Sequence, residues 1–266
     1  MPELPEVETV VRELQSLCGE NIQSMDVHWA RTVDGDLKNI KKAILSSEIK
    51  RVHRRGKYIL IDFSDGSCCS IHLRMTGKLV FEPSEKDLKH LRVQLEFQSG
   101  LRLSYIDIRK FGRWHWWPAS EPLLPKLGVE PLESTSVFMA LKDLKTRREI
   151  KKVLLDQNIL AGVGNIYADE ALFASGIHPN EKGCDLSLAQ CEKLSLEIPR
   201  ILHASIANMG TTLSDYRTTK NIGGENQHVL KVYGQTGRPC SVCETVIVRT
   251  IVGARSTHHC PACQSL

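Results

Sequence analysis

The N-terminal stretch Met1-Pro-Glu-Leu4 has the residue types for covalent chemistry. With Met1 removed, as a small second residue permits, Pro2 presents a free secondary amine. An α-amino group titrates at about 7.7–8.0, so a useful fraction is neutral and nucleophilic at physiological pH. Such an amine attacks electrophilic carbon and forms a charged iminium without further activation, and the Glu3 carboxylate lies one residue away. A plainer reading makes Pro2 and Pro5 helix-start prolines and nothing more.

A second pattern is Cys240-x2-Cys243-x16-Cys260-x2-Cys263 near the other end. Two Cys-x-x-Cys knuckles at this separation fit one tetrahedral zinc ion with four thiolate ligands, which leaves no open position and makes the metal structural. Residues 231–266 carry Lys231, Arg238, Arg249 and Arg255 against Glu244 alone, a balance that suits a nucleic-acid contact. The run Lys50-Arg-Val-His-Arg-Arg-Gly-Lys57 has five Lys or Arg in eight residues and leads into an apolar strand, so Lys57 can be aimed from a strand start. Finally, His72-Leu-Arg-Met-Thr-Gly77 and Asp107-Ile-Arg-Lys-Phe-Gly112 each close on glycine. Met75, Arg109 and Phe111 at two loop tips make two apolar wedges and a cation, a set able to enter a base stack and fill a vacated position.

Several elements must hold these groups. Val7, Val10, Val11, Leu14 and Leu17 recur at helical spacing up to Gly19, so a helix starts close to Pro2. Its positive dipole end favours the neutral amine, whereas Glu3 and Glu6 act in the opposite sense. The runs 58–63, 70–73, 92–97 and 101–105 read as strands, with turns at Asp65-Gly66 and Ser99-Gly100, and together they predict a β-sandwich or barrel. Prolines 118, 122, 125 and 131 mark a linker. Helical periodicity then covers 138–144, 147–155, 168–175 and 186–208. Between the second and third of these, Gly162 and Gly164 form a tight turn before Asn165, whose exposed N–H groups suit a phosphate. The polar stretch 211–227 has no periodicity and reads as a functional, mobile loop.

The fold class expected is α+β. Its domains are a β-sandwich domain with an N-terminal helix over 1–117, a linker over 118–131, a helical domain with a loop over 132–234, and a zinc finger over 235–266. The net charge of +4 over 266 residues is compatible with nucleic acid, and 41% hydrophobic residues is ordinary for a globular protein. No apolar run is long enough to span a membrane, and no basic-then-apolar leader precedes Pro2, so a cytoplasmic protein is expected. Cys18, Cys68, Cys69, Cys184 and Cys191 read as plain thiols.

Taken together, the chain closely resembles the bacterial-type formamidopyrimidine-DNA glycosylases over its whole length. The resemblance rests on Pro2-Glu-Leu-Pro-Glu-Val-Glu-Thr9, Arg55-Gly-Lys57, His72-Leu-Arg-Met75, Arg109-Lys-Phe-Gly112, Gly162-Val-Gly-Asn-Ile-Tyr-Ala168, Val232-Tyr-Gly234 and the terminal cysteines. It implies a helix-two-turns-helix domain after the sandwich. It also implies excision of oxidised purines (8-oxoguanine and formamidopyrimidines) followed by strand cleavage at the abasic site through β- and δ-elimination. In that scheme Pro2 is the nucleophile and Glu3 its proton-transfer partner. Lys57, His72, Asn165 and Arg255 contact phosphates, while Met75, Arg109 and Phe111 fill the gap left by the flipped nucleotide. The partner implied is duplex DNA with oxidised bases or abasic sites, bound by a monomer.

Two places depart from the family's usual pattern: Ile108 stands where proline is common, and residues 218–228 lack the usual glycine- and aromatic-bearing loop. The preference among oxidised bases therefore stays open. An endonuclease VIII-like enzyme for oxidised pyrimidines, a non-catalytic damaged-DNA binder, and a zinc-ribbon interaction subunit are the competing readings.

Overall fold

The computed structural model describes residues 1–45, 47–118 and 124–266 and divides into two compact units. The first unit comprises 1–125 and 208–225, the second 126–207 and 226–266. The division falls between Pro125 and Lys126, inside the proline-bearing stretch; part of that expected linker, 119–123, lies outside the described residues. Among the described residues, no helix is long and apolar enough to cross a membrane.

The first unit begins with helix α1 (Leu4–Leu14), whose apolar residues line one face; a further helical turn takes the chain to Gly19, at φ +91°. A four-stranded antiparallel sheet has the order β1 (Ile22–Val27), β7 (Leu91–Phe97), β8 (Arg102–Asp107), β6 (Gly77–Val80). A five-stranded sheet has the order β2 (Val33–Asp34), β9 (Arg113–Trp117), β5 (Cys68–His72), β4 (Tyr58–Phe63), β3 (Ile49–Arg55). Val93, Leu95, Phe97 and Tyr105 of the first sheet share one buried cluster with Val52, Ile59, Ile61, Ile71 and Trp114 of the second, which makes the pair a sandwich. Val7, Val10, Val11 and Leu14 of α1 belong to the same cluster. Two short helices, α2 (Leu37–Ile44) and α3 (Glu85–Leu88), complete the unit, each capped by a side chain, Asp36 and Ser84 respectively.

Segment 208–225, which the sequence reading keeps with the helical region, packs within the first unit. It has no helix or strand, yet it is tightly held. Glu6 accepts Thr211 N–H at 2.7 Å, and Glu13 accepts both the N–H and the hydroxyl of Thr219, at 2.6 and 2.7 Å. Asn221 bridges Lys78 and Asp87, and Thr218 and Thr219 are fully buried. Backbone N–H groups of this aperiodic stretch are thus satisfied by side chains of α1.

The second unit contains α4 (Ser134–Leu141), α5 (Ile150–Leu154), α6 (Asn165–Ser175) and α7 (Leu188–Ala207), with α4 and α6 packed on α7. Helix α5 is shorter than its periodicity predicts, because Arg148 and Glu149 are drawn into an extended bridge with Lys182 and Gly183. Helix α6 starts three residues earlier than expected: Gly164 is its N-cap and Asn165 its first residue. It ends on Gly176 in the left-handed region, at φ +70°. The antiparallel hairpin of β10 (Val248–Val252) and β11 (Arg255–His259) follows.

Candidate functional site

The first unit carries three of the predicted groups. Pro2 and Glu3 are buried at the start of α1. Glu3 is the N-cap and forms a reciprocal capping box with Glu6: the Glu3 carboxylate accepts the N–H of Glu6, and the Glu6 carboxylate accepts the N–H of Glu3 at 2.7 Å. Glu6 therefore fixes the peptide joined to Pro2 and, through Thr211, the segment at 208–225. The direction of α1 follows from two contacts. Gln15 donates to Val52 O at 2.6 Å and Arg54 donates to Glu8 at 2.9 Å, so the helix runs against β3 with its N-terminus heading toward the turn at Gly56-Lys57. Arg54 also donates to Gly56 O, tying that turn to the helix.

Lys57 and His72 form the second group. Lys57 directly precedes β4, Tyr58 pairs with His72 across the β4–β5 ladder, and the two rings meet edge to face at 4.7 Å. Lys57 is 7% exposed and His72 8%. Burial, reinforced by the charges of Arg74 and Lys57, holds the His72 pKa down at about 3, so the ring is neutral. Arg74 N–H donates to His72 Nδ1 at 3.0 Å, which leaves the ring proton on Nε2. His72 is thus a neutral donor, and the positive charge here belongs to Lys57 and Arg74.

The third group is the wedge. Met75 and Phe111 are 41% and 47% exposed. The Arg109 guanidinium lies 3.0 Å from Met75 Sδ and 4.6 Å from the Phe111 ring centroid, so the three side chains form one contiguous tip. Both loops carry a left-handed non-glycine residue, Arg74 at φ +56° and Lys110 at φ +60°. Thr76 and Ile108 line a cleft of about 160 Å³ together with Ser214 and Arg217, so one of the two positions that depart from the usual pattern faces the ordered segment.

In the second unit, Gln157 accepts Gly162 N–H and donates to Val163 O, bracing the turn before α6. Gly162 sits at φ +103°, a conformation that glycine alone adopts freely. Asn165 Nδ2 donates to Ser256 O at 2.9 Å, which joins the helix start to the hairpin residue next to Arg255. The Lys151 ammonium, wholly buried, donates to Ser256 O and Thr257 Oγ1, both at 2.8 Å. Arg255 itself is exposed. Asn165 and Arg255, ninety residues apart in the chain, thus share one small framework. Lys151 and Asp169, whose carboxylate lies against the Lys151 ammonium and accepts His258 N–H, are the parts of it that the sequence reading missed; a lysine and an aspartate inside helical runs look like solvated face residues.

The four cysteines of the predicted metal centre also converge. Their sulfur atoms all lie within 4.8 Å of one another, with Cys240–Cys263 at 3.9 Å and Cys243–Cys260 at 3.4 Å. Four thiolates about 2.3 Å from a common centre have nearly these separations, so the donor set fits one tetrahedral Zn²⁺. Val242 N–H and Cys263 N–H point at the sulfurs of Cys240 and Cys260, as knuckle backbones do.

Three comparisons agree with this geometry. Residues 1–114 match the formamidopyrimidine-DNA glycosylase N-terminal domain, 127–217 the formamidopyrimidine-DNA glycosylase H2TH domain, and 237–266 the zinc finger found in FPG and IleRS. The formamidopyrimidine-DNA glycosylase of Herpetosiphon aurantiacus is 42% identical over 273 residues, covering 100% of both chains. This chain belongs to the formamidopyrimidine-DNA glycosylase family. A Lactococcus lactis FPG variant bound to Fapy-dG-containing DNA is similar with a TM-score of 0.89, at 35% identity and full coverage of both chains. The L. lactis Fpg bound to abasic-site DNA gives 0.88 at 35% identity, covering 99% of this chain and 100% of that one. Membership of the family accounts for the sandwich, the helix-two-turns-helix region and the single structural zinc of this chain.

Proposed function

We propose that this chain is a DNA glycosylase and abasic-site lyase for oxidised purines, with Pro2 as its covalent nucleophile. The observation that carries the reading is the placement of Pro2-Glu3 at the N-cap of α1, with the helix start heading toward the Lys57 turn. Family membership and the likeness to FPG complexes with lesion and abasic DNA support the class of reaction.

Removal of Met1 frees the Pro2 nitrogen. Its lone pair attacks C1′ of the damaged nucleotide, and the bond from C1′ to the base breaks with its electrons leaving on the base. The Pro2 N–H proton passes to Glu3 and from it to the sugar ring oxygen as the ring opens and the iminium forms, and the departing base takes a proton from water. The cationic iminium acidifies the hydrogen on C2′; loss of that proton expels the 3′ phosphate, and a second elimination expels the 5′ phosphate. Chemistry at C1′ requires the nucleotide to leave the stack, at a cost of a few kcal/mol. Met75, Arg109 and Phe111 offset it by filling the gap, with Arg109 donating to the orphaned cytosine.

Each unit holds backbone phosphates with its own donors. Lys57 and His72 serve in the first, the latter as a neutral Nε2–H donor; Asn165 and Arg255 serve in the second. Phosphate contacts set register without reading sequence, as a lesion at any position requires. Zinc bound by Cys240, Cys243, Cys260 and Cys263 is structural and holds the Arg255 hairpin in shape. The protein acts as a monomer in the cytoplasm, at the nucleoid of a bacterium.

Borohydride trapping on a duplex with 8-oxoguanine opposite cytosine tests this reading, alongside a thymine-glycol duplex and with intact mass confirming a Pro2 terminus. A covalent adduct, formed more readily on the purine lesion, is expected. Absence of any adduct with Met1 removed overturns the nucleophile; preference for thymine glycol overturns the substrate class.

A further inference from the structure

Asp107 is 1% exposed, at the end of β8, and its carboxylate has four donors around it. Oδ1 accepts the Thr76 hydroxyl at 2.5 Å and the Arg109 N–H at 3.2 Å. Oδ2 accepts the Gly112 N–H at 2.8 Å and lies 3.5 Å from the Tyr105 hydroxyl. Thr76 Oγ1 in turn accepts the Arg109 N–H at 3.1 Å, so this peptide is shared between the two loops. The Asp107 backbone is held as well: its carbonyl accepts Arg92 Nε at 2.8 Å, and its N–H donates to His90 O at 3.0 Å.

These bonds bracket the wedge. Arg109 N–H and Gly112 N–H stand on either side of Lys110 and Phe111, while Thr76 directly follows Met75. The two glycines that close the loops meet the same brace: a Cβ on Gly77 or on Gly112 would collide with the Tyr105 hydroxyl. Arg74 and Lys110 carry left-handed backbones that non-glycine residues adopt only when surrounding contacts impose them. Ile108, 51% exposed, leaves φ unrestrained at the position between Asp107 and Arg109. The restraint on the loop comes from the buried carboxylate.

We propose that Asp107 is the positioning residue of the wedge: its carboxylate, relayed through Thr76, locks Met75, Arg109 and Phe111 into one preformed insertion unit. The proposal rests on the functional reading above for its consequence in repair. A preformed tip enters the stack without first ordering two loops, and the entropic cost of ordering falls on folding rather than on each encounter with DNA. Asp107 touches neither base nor sugar in this scheme and acts only through the residues it holds.

Replacement of Asp107 by Asn tests it, because the amide NH₂ must face a donor at one of the two oxygen positions. Excision of 8-oxoguanine from duplex DNA is expected to fall about ten- to a hundredfold, the size of losing one or two charge-assisted hydrogen bonds. Cleavage of a preformed abasic site in single-stranded DNA needs no insertion and should fall by only about threefold or less. Thr76→Val should reproduce part of the selective loss, and Thr76→Ser, which keeps the hydroxyl, should restore it. Separately, 2-aminopurine placed beside a stable abasic analogue should brighten on binding wild-type protein and brighten less with Asp107→Asn, whatever the catalytic activity. A parallel loss of excision and single-strand cleavage, or undiminished excision, overturns the positioning role. An equal 2-aminopurine response overturns it too, even if the wild-type protein forms no adduct and the functional reading itself has failed.

Discussion

The Lys151 ammonium lies 2.6 Å from the Asp169 carboxylate, and both side chains are wholly buried. Lys151 comes from α5 and Asp169 from α6; the lysine also donates to Ser256 and Thr257, and the aspartate accepts His258 N–H at 2.8 Å. One ion pair therefore joins two helices to the hairpin that carries Arg255. Lys151→Met leaves the carboxylate buried without its cation and should cost about 3–5 kcal/mol, whereas replacing both partners with apolar residues should cost much less. Urea unfolding of Lys151→Met, Asp169→Leu and the double variant measures the difference, and a double cost equal to the sum of the two single costs would show that the pair is not coupled.

His72 makes acid stability pH-dependent. Its pKa falls from 6.5 to about 3 on folding, through burial and the nearby charges of Arg74 and Lys57. Between those values the unfolded chain binds a proton that the folded one does not. Its contribution is therefore fully present above pH 6.5 and lost as pH falls toward 3. Unfolding followed by fluorescence from pH 7 to 4 should show a shallower acid decline in His72→Gln, with part of the slope remaining because His53 is shifted the same way.

Blocking the amine should separate binding from chemistry. An N-terminal extension that prevents Met1 removal turns the Pro2 nitrogen into a tertiary amide. The borohydride adduct should then vanish while abasic duplex is still retained in a gel shift. Pro2→Gly leaves a primary amine on a freer backbone and should reduce processing more than binding.

Metal loss should act on the finger alone at first. Among the described residues, the finger rests on a small apolar cluster of Val232, Ile247, Cys240 and Cys260, with Phe173 and Cys263 packed against it, too little to fold without an ion. Chelation or Cys243→Ser should release one zinc per chain, expose the hairpin to proteolysis and weaken duplex binding broadly. Intact binding after metal loss would remove the finger from the DNA interface.

Gly112→Ala probes the wedge brace from the opposite side. The added methyl meets the Tyr105 hydroxyl, and overpacking of this kind costs about 1–3 kcal/mol. Thermal unfolding should register that cost, and excision should fall further than stability alone predicts.

Much of this protein was legible in its sequence. The six-residue run at 58–63 is β4 to the residue, because a strand in a covered sheet needs only a short apolar stretch bounded by turn residues. The cysteine spacing, the Pro2-Glu3 start and the glycine-bounded loops are local too: each is a covalent or short-range requirement that leaves its mark in neighbouring positions. The tertiary structure alone decided the rest. That 208–225 is ordered against α1 depends on Glu6 and Glu13, about two hundred positions away. That Asn165 and Arg255 share a framework depends on Lys151 and Asp169, and that two loops make one tip depends on Asp107 and Thr76. A buried carboxylate or ammonium takes its partners from whatever the fold packs beside it, and such long-range pairing has no period in the chain to announce it.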